Sequence, residues 1–169
     1  MRLAAAVAFY LVICTAIRGK ILSDSLIVGR SMQPATMTAS KDIQPVPANT
    51  LPAIWPTLQE GLESIRDKAD PDLNFDLIHQ RLADSEAFLF LTPEGFFILL
   101  PLHGRIPSVL VWQAYAEGQG AIRKYLPAIE QLARNIGAHQ IEFKSTRPGY
   151  RRVFHDWQRT GQRYTRRLI

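Results

Sequence analysis

Val109 to Ala116 reads VLVWQAYA and runs directly into Glu117-Gly118-Gln119-Gly120-Ala121. An apolar run of this length suits a strand, and the residues after it, Ile122, Leu126, Ile129, Leu132, Ala133 and Ile136, keep helical spacing for about four turns. The order strand, glycine loop, helix decides the fold. Two glycines one residue apart let the chain turn sharply and approach a ligand without a Cβ in the way. The helix that follows turns its unpaired first-turn N–H groups toward the same place, which suits a phosphate or pyrophosphate. The same Gly-x-Gly spacing also serves as a plain strand-to-helix turn, so its surroundings must separate the two readings.

Downstream, Gly137 stops the helix and His139-Gln140-Ile141-Glu142-Phe143-Lys144 forms the next strand, to about residue 145. Pro127 inside the helix removes one backbone hydrogen bond and predicts a bend. Arg147-Pro148-Gly149-Tyr150 opens a last helix to about Arg159, and Gly161 precedes a closing strand over Arg163 to Leu168.

Upstream, Ala87 to Leu91 and Phe96 to Leu100 flank Thr92-Pro93-Glu94-Gly95, with proline and glycine where a type I turn takes them. This is a β-hairpin. Both runs are apolar without alternation, so helices should cover both faces of the sheet. Before the hairpin, Thr57-Leu58-Gln59-Glu60 has the form of a capping box, and Leu58, Leu62, Ile65 and Ala69 share one helical face. These predict a first helix over 57–69. Phe75, Ile78 and Leu82 mark a second through about residue 84.

The domain organisation follows. Residues 57–169 form the folded domain; residues 32–56, rich in Pro, Ser, Thr and Ala, read as a linker. Residues 1–31 are an N-terminal extension whose apolar run, Leu3 to Ile17, falls short of a bilayer span of about 20 residues. It is either a signal-like or membrane-associating segment, or the product of a start assigned ahead of Met32 or Met37. The corresponding expectation is a cytoplasmic protein, with export or membrane association through residues 3–17 as the alternative.

Composition bounds the chemistry. With Cys14 as the only cysteine there is no internal disulfide, and the four histidines lack ligand spacing, so no metal site is expected. The net charge of +5 sits in the tail: residues 147–169 hold seven arginines against one acid, Asp156, for +6, leaving −1 for the remainder. Such a tail suits nucleic acid, an acidic protein surface or an anionic cofactor, or is a solvated face.

Over residues 57–169 the element order, with Gly118 and Gly120 after the central strand, resembles the GCN5-related N-acetyltransferase (GNAT) superfamily, in particular short phage- and prophage-encoded members. The resemblance implies an α/β (α+β) fold with a mixed, mostly antiparallel sheet flanked by helices on both faces. In that family the strand ends in Q/R-x-x-G-x-G/A, whose amides hold the pyrophosphate of acetyl-coenzyme A. Here the stretch is Tyr115-Ala116-Glu117-Gly118-Gln119-Gly120 with Ala121 following, and Tyr115 stands where the family has Gln or Arg. The resemblance thus implies acetyl-CoA or another acyl-CoA as co-substrate, bound by Tyr115, Ala116, Gly118, Gln119, Gly120 and Ala121.

The family's chemistry uses a base, often a strand carboxylate acting through water, and frequently a tyrosine on the last helix that protonates the leaving thiolate. The central strand offers Gln113 but no carboxylate before Glu117, and the tyrosine position falls near Phe154. Tyr150, one helical turn earlier, is the candidate catalytic residue. Two functions follow: an acyl-CoA-dependent N-acyltransferase acting on an amine, or a catalytically degenerate phage structural or ejected virion protein that binds a partner. A Rossmann domain is disfavoured, because a hairpin precedes the loop and no third glycine is placed for it.

Overall fold

The computed structural model describes residues 42–118 and 120–168. Its elements, in order, are β1 (Gln44–Val46), a 3-10 turn (Ala48–Thr50), α1 (Leu51–Lys68), α2 (Phe75–Ala83), β2 (Phe88–Thr92), β3 (Gly95–Leu102), β4 (Ser108–Ala116), α3 (Ala121–Asn135), β5 (Gln140–Lys144), the single turn α4 (Tyr150–Val153), β6 (Gln158–Thr160) and β7 (Arg163–Arg167). They form one seven-stranded sheet in the order β1-β2-β3-β4-β5-β7-β6. Every neighbouring pair is antiparallel except β4 and β5, which α3 joins as a crossover.

The unbroken apolar runs of β2 and β3 put side chains into both layers. Phe88, Phe90, Phe97 and Leu99 point to one face, where Val109, Ile141 and α3 residues Tyr125, Ile129 and Ala133 complete a core. Leu89, Phe96, Ile98 and Leu100 point to the other, under Leu51, Leu58, Leu62 and Ile65 of α1 and Ile78 and Leu82 of α2. The hairpin turns where the sequence places it, with Thr92 opposite Gly95. Gly61 lets α1 sit low on the sheet: a Cβ there would lie 2.5 Å from the Phe96 ring and 3.1 Å from that of Tyr115.

Three boundaries differ from the sequence reading. The first helix begins at Leu51, not at a Thr57 cap: Pro52 occupies its first turn, which tolerates a residue without an N–H, and the buried stripe runs back to Leu51. Thr57 lies inside the helix and caps nothing. The stretch 44–56 therefore contains β1 and the start of α1 rather than linker, while residues 1–41, with the apolar run Leu3 to Ile17, lie outside the described residues. The last helix is one turn, because Phe154 leaves helical geometry at φ −113, ψ 42 and the chain continues through Trp157 into β6. No helix among the described residues is long and apolar enough to cross a membrane.

β1 carries the first prediction. Its residues pair with Val46 opposite Leu89, and Ile43 and Val46 pack against the two cores. Compared with a chain starting at Asp42, one starting at Asn49 is expected to lose the strand and the partial burial of both side chains, for roughly 2 kcal/mol. Thermal unfolding of the two chains checks this, and equal midpoints would show that β1 contributes nothing.

Candidate functional site

The site is built where two parallel strands part. Pairing of β4 with β5 runs from Ser108 opposite Gln140 to Val111 opposite Phe143 and stops there, although β4 continues to Ala116. The register with β3 shifts between Ile98 and Leu99, so that Ile98 faces Gln113 while Leu99 faces Val111, and Trp112 is the extra residue of a β-bulge. A bulge bends its strand and increases its twist. Here the bulge falls at Trp112, directly after the last β4 residue paired with β5, and the unpaired stretch of β4 beyond it forms one side of a wedge between the strands.

The glycine loop lies at the end of that wedge. Gly118 and Gly120 both have φ +86, a conformation L side chains rarely adopt, and a Cβ on either would meet nothing within 4 Å. Backbone conformation rather than crowding requires glycine there, and the space above both is open. α3 starts at Ala121 with Gly120 as its N-cap, no side chain caps it, and its first turn contains no acid. The first helical bond is Lys124 N–H to Gly120 O at 3.1 Å, which leaves the amides of Ala121, Ile122 and Arg123 without helical partners. An uncapped start forgoes about 1 kcal/mol, and the cations Arg123 and Lys124 there oppose the helix dipole. Both features suit a bound anion.

Glu94, in the β2–β3 turn, grips the loop from both sides. Its carbonyl accepts the N–H of Glu117 at 2.7 Å, and its carboxylate accepts Lys124 Nζ at 2.5 Å and the buried Tyr125 hydroxyl. Asp42 adds a longer contact to Lys124 at 3.8 Å. Lys124, then Tyr125, hold the Glu94 carboxyl below the usual carboxylate range, and Glu94 in turn raises the Lys124 ammonium. A depressed carboxyl contributes above its unfolded pKa and loses that contribution as pH falls through its folded pKa. Any ligand affinity that depends on this clamp should therefore weaken below the ordinary carboxylate range. Glu94→Gln is expected to lower ligand affinity at neutral pH and to flatten that acid limb, as a titration across pH would reveal.

The sequence-derived candidates fall into place unevenly. Gly118, Gly120 and Ala121 line the open loop; Gln119 lies outside the described residues. Tyr115 points toward α1, with its ring 5.8 Å from that of Phe96, so the loop receives its backbone and not its side chain. Ala116 ends β4 half-buried. Tyr150 stands edge-on to Phe143 at 5.8 Å, and Phe143 is the last β5 residue paired with β4, so this ring sits beside the parting of the strands. Phe154 is buried against Phe143 at 4.5 Å and is core.

A cleft of about 380 Å³ lies on the α3 face, between the Arg123–Glu130 stretch of α3 and the Val153–Trp157 segment, with Arg166 at its side. Glu130 on its wall is buried and paired with Arg166 at 3.1 Å and Arg134 at 3.6 Å. The carboxylate absent from β4 appears instead on β5. Glu142 is buried beside the parting, with Oε1 accepting from Ser108 Oγ at 2.9 Å and Gln140 Nε2 at 3.2 Å, and Oε2 lying 3.3 Å from Arg163 Nη1. The basic tail is not one stripe: Arg166 faces α3 and pairs with Glu130 and Asp156, whereas Arg163 pairs with Glu142 on the opposite face. No group of three or more His, Cys, Asp or Glu side chains among the described residues is arranged to hold a metal.

Sequence reasoning missed the Glu94 clamp because its partners lie 30 and 31 residues away. Its only local signal was the Pro93-Glu94 turn, read for geometry and not for the carboxylate.

No protein-family model matches the sequence, and no curated protein matches it. Solved structures do resemble it. N-acetylglutamate synthase from Neisseria gonorrhoeae, complexed with coenzyme A and N-acetyl-glutamate, superposes with TM-score 0.52 at 13% identity over 75% of this chain, which spans only 35% of the synthase chain. A GNAT-family acetyltransferase from Listeria monocytogenes gives 0.53 at 10% identity, covering 75% of this chain and 94% of the other. A probable acetyltransferase gives 0.53 at 15% identity, covering 70% and 90%. The likeness is one of fold: a mixed, mostly antiparallel seven-stranded sheet with helices on its faces, as in the GNAT acetyltransferases.

Proposed function

We propose that this protein is an acyl-CoA-dependent N-acyltransferase. The observation that carries the proposal is the juxtaposition of the β4–β5 wedge with the glycine loop and the uncapped start of α3. The residues present fit the co-substrate: open space above Gly118 and Gly120, three unpartnered amides at 121–123 and a cation at Arg123 suit a diphosphate. Acetyl-CoA supplies the activated acyl group as a thioester. Ala121, Ile122 and Arg123 would hold the diphosphate through their amides, and the wedge would hold an extended, uncharged chain against the unpaired edge of β4. Glu94 keeps the loop in place.

Tyr150 is the candidate proton donor. Its ring stands over Phe143 at the parting, and its hydroxyl has no hydrogen-bond partner among the described residues, so it is available to protonate a leaving thiolate. The alternative of a binding module without catalysis predicts no acyl transfer. Free-thiol release from acetyl-CoA by the full chain, measured over a panel of primary amines, tests the proposal. Release with at least one amine that falls at least tenfold in Tyr150→Phe supports it; no release above the uncatalysed rate with any amine leaves the non-catalytic reading.

A further inference from the structure

The face of the sheet that carries α1 and α2 is covered only over β1 to β4. The core beneath those helices contains no residue of β5, β6 or β7. On that face the register lines up Gln140, Glu142 and Lys144 of β5, Arg163, Thr165 and Arg167 of β7, and Gln158 and Thr160 of β6. All are polar, and among the described residues no helix lies over them. This half of the face borders the wedge, because Lys144 follows Phe143, the last residue to pair with β4.

The charges on it are not balanced. Glu142 is the one acid, and it is buried and occupied by Ser108, Gln140 and Arg163. Arg163 Nη1 lies 3.3 Å from Glu142 Oε2 as an ion pair, and the Arg163 side chain is 51% exposed, which leaves its other N–H groups free to donate outward. Lys144, directly opposite Arg163 in the register, is exposed and has no acid within ion-pairing distance among the described residues. Arg167 is exposed in the same way, about 13 Å further along β7. Glu142 ion-pairs Arg163, and Lys144 and Arg163, opposite each other beyond the last β4–β5 pair, put two exposed cations on neighbouring strands of this face.

Resting on the acyltransferase reading, we infer that the acceptor is an amine that also carries a carboxylate, held by Lys144 and Arg163 so that its amine reaches into the gap between β4 and β5. A guanidinium beside an ammonium matches a carboxylate in charge and in hydrogen-bonding shape. A neutral amine gains nothing from these groups, and a cationic one is repelled by the local positive field.

The test uses the full chain with acetyl-CoA and three acceptors of similar shape, L-glutamate, L-glutamine and L-glutamine amide, which carry successively fewer carboxylates. The expected result is a kcat/KM that falls about tenfold or more at the step removing the last carboxylate. Lys144→Gln and Arg163→Gln should each erase that preference by raising KM for the acids, while acetyl-CoA affinity, measured separately by titration, stays unchanged. Glu142→Gln should raise the same KM through Arg163 and leave kcat in place. The inference is overturned if acetyl-CoA binds and amines are acetylated with no carboxylate preference, a result that leaves the acyltransferase reading intact. It is overturned too if a short single-stranded oligonucleotide, and none of the amines, binds in a Lys144- and Arg163-dependent way. Absence of acetyl-CoA binding by the wild type would overturn both.

Discussion

Replacing Gly120 with glutamate is expected to remove acetyl-CoA binding and leave a folded protein. Gly120 has φ +86 and ψ −4, and a Cβ there meets no atom within 4 Å, so the substitution costs backbone strain but no clash. That strain is of order 1–2 kcal/mol, a melting shift of a few degrees. The new carboxylate lies at the N-terminus of α3, where it takes up the unpartnered amides that a diphosphate would need. Dipole interactions at such a site are worth about 0.3–2 kcal/mol. Repulsion of the ligand's own charge adds to this, so a loss well above tenfold follows at ~1.4 kcal/mol per decade. Gly120→Ala imposes the same strain without the charge and should lose far less. Calorimetric titration of wild type and both variants separates the contributions; equal affinity in all three would show that the loop is not where the anion sits.

The second large effect concerns the strand that feeds the loop. Gly95 opens β3 opposite Ala116, and a Cβ on it would lie 2.1 Å from the carbonyl oxygen of Tyr115 and 2.9 Å from the Ala116 Cα. These are backbone atoms and cannot rotate away. Gly95→Ala must push the end of β4 off β3, and with it the Glu117 N–H that Glu94 holds. We expect a loss of about 3 kcal/mol or more, together with a marked fall in acetyl-CoA affinity in the protein that remains folded. Thermal unfolding with and without ligand measures both. An unchanged melting temperature would contradict the close β3–β4 approach.

Much of this architecture is visible in the residues themselves. Pro93 and Gly95 fix the hairpin turn, the apolar runs on either side require cover on both faces, and Gly120 and Gly137 bracket α3. The segments that escape are those whose local signal competes with tertiary contact. Pro52 and Pro56 look like linker punctuation, yet Leu51 is buried and draws the helix back over both. Tyr150, Val153, Phe154 and Trp157 recur at helical spacing, but they reach the same core through one turn and a bend, since Phe143 and Tyr164 stack beneath them and hold Phe154 and Trp157 by packing. β1 and β6, three residues each at the sheet edges, are too short to show a period.

The site divides the same way. Its glycines are local features and could be read directly. The clamp of Glu94 on Lys124 and Tyr125, and the burial of Glu142 against Ser108 34 residues away, depend on which strands become neighbours. The alternation in Gln140 to Lys144 does place Ile141 and Phe143 on one face and Glu142 on the other. It does not disclose that the pairing of β5 with β4 ends at Phe143, the ring that Tyr150 stands against.

If the glycine loop and the strand wedge together bind an acyl-CoA, calorimetric titration of acetyl-CoA into the full-length protein detects it. The expected result is saturable one-to-one binding with a Kd in the range of about 1 μM to 1 mM that enzymes commonly show for their substrates, abolished by Gly120→Glu. The absence of any saturable binding of acetyl-CoA or coenzyme A to the folded wild-type protein would contradict it.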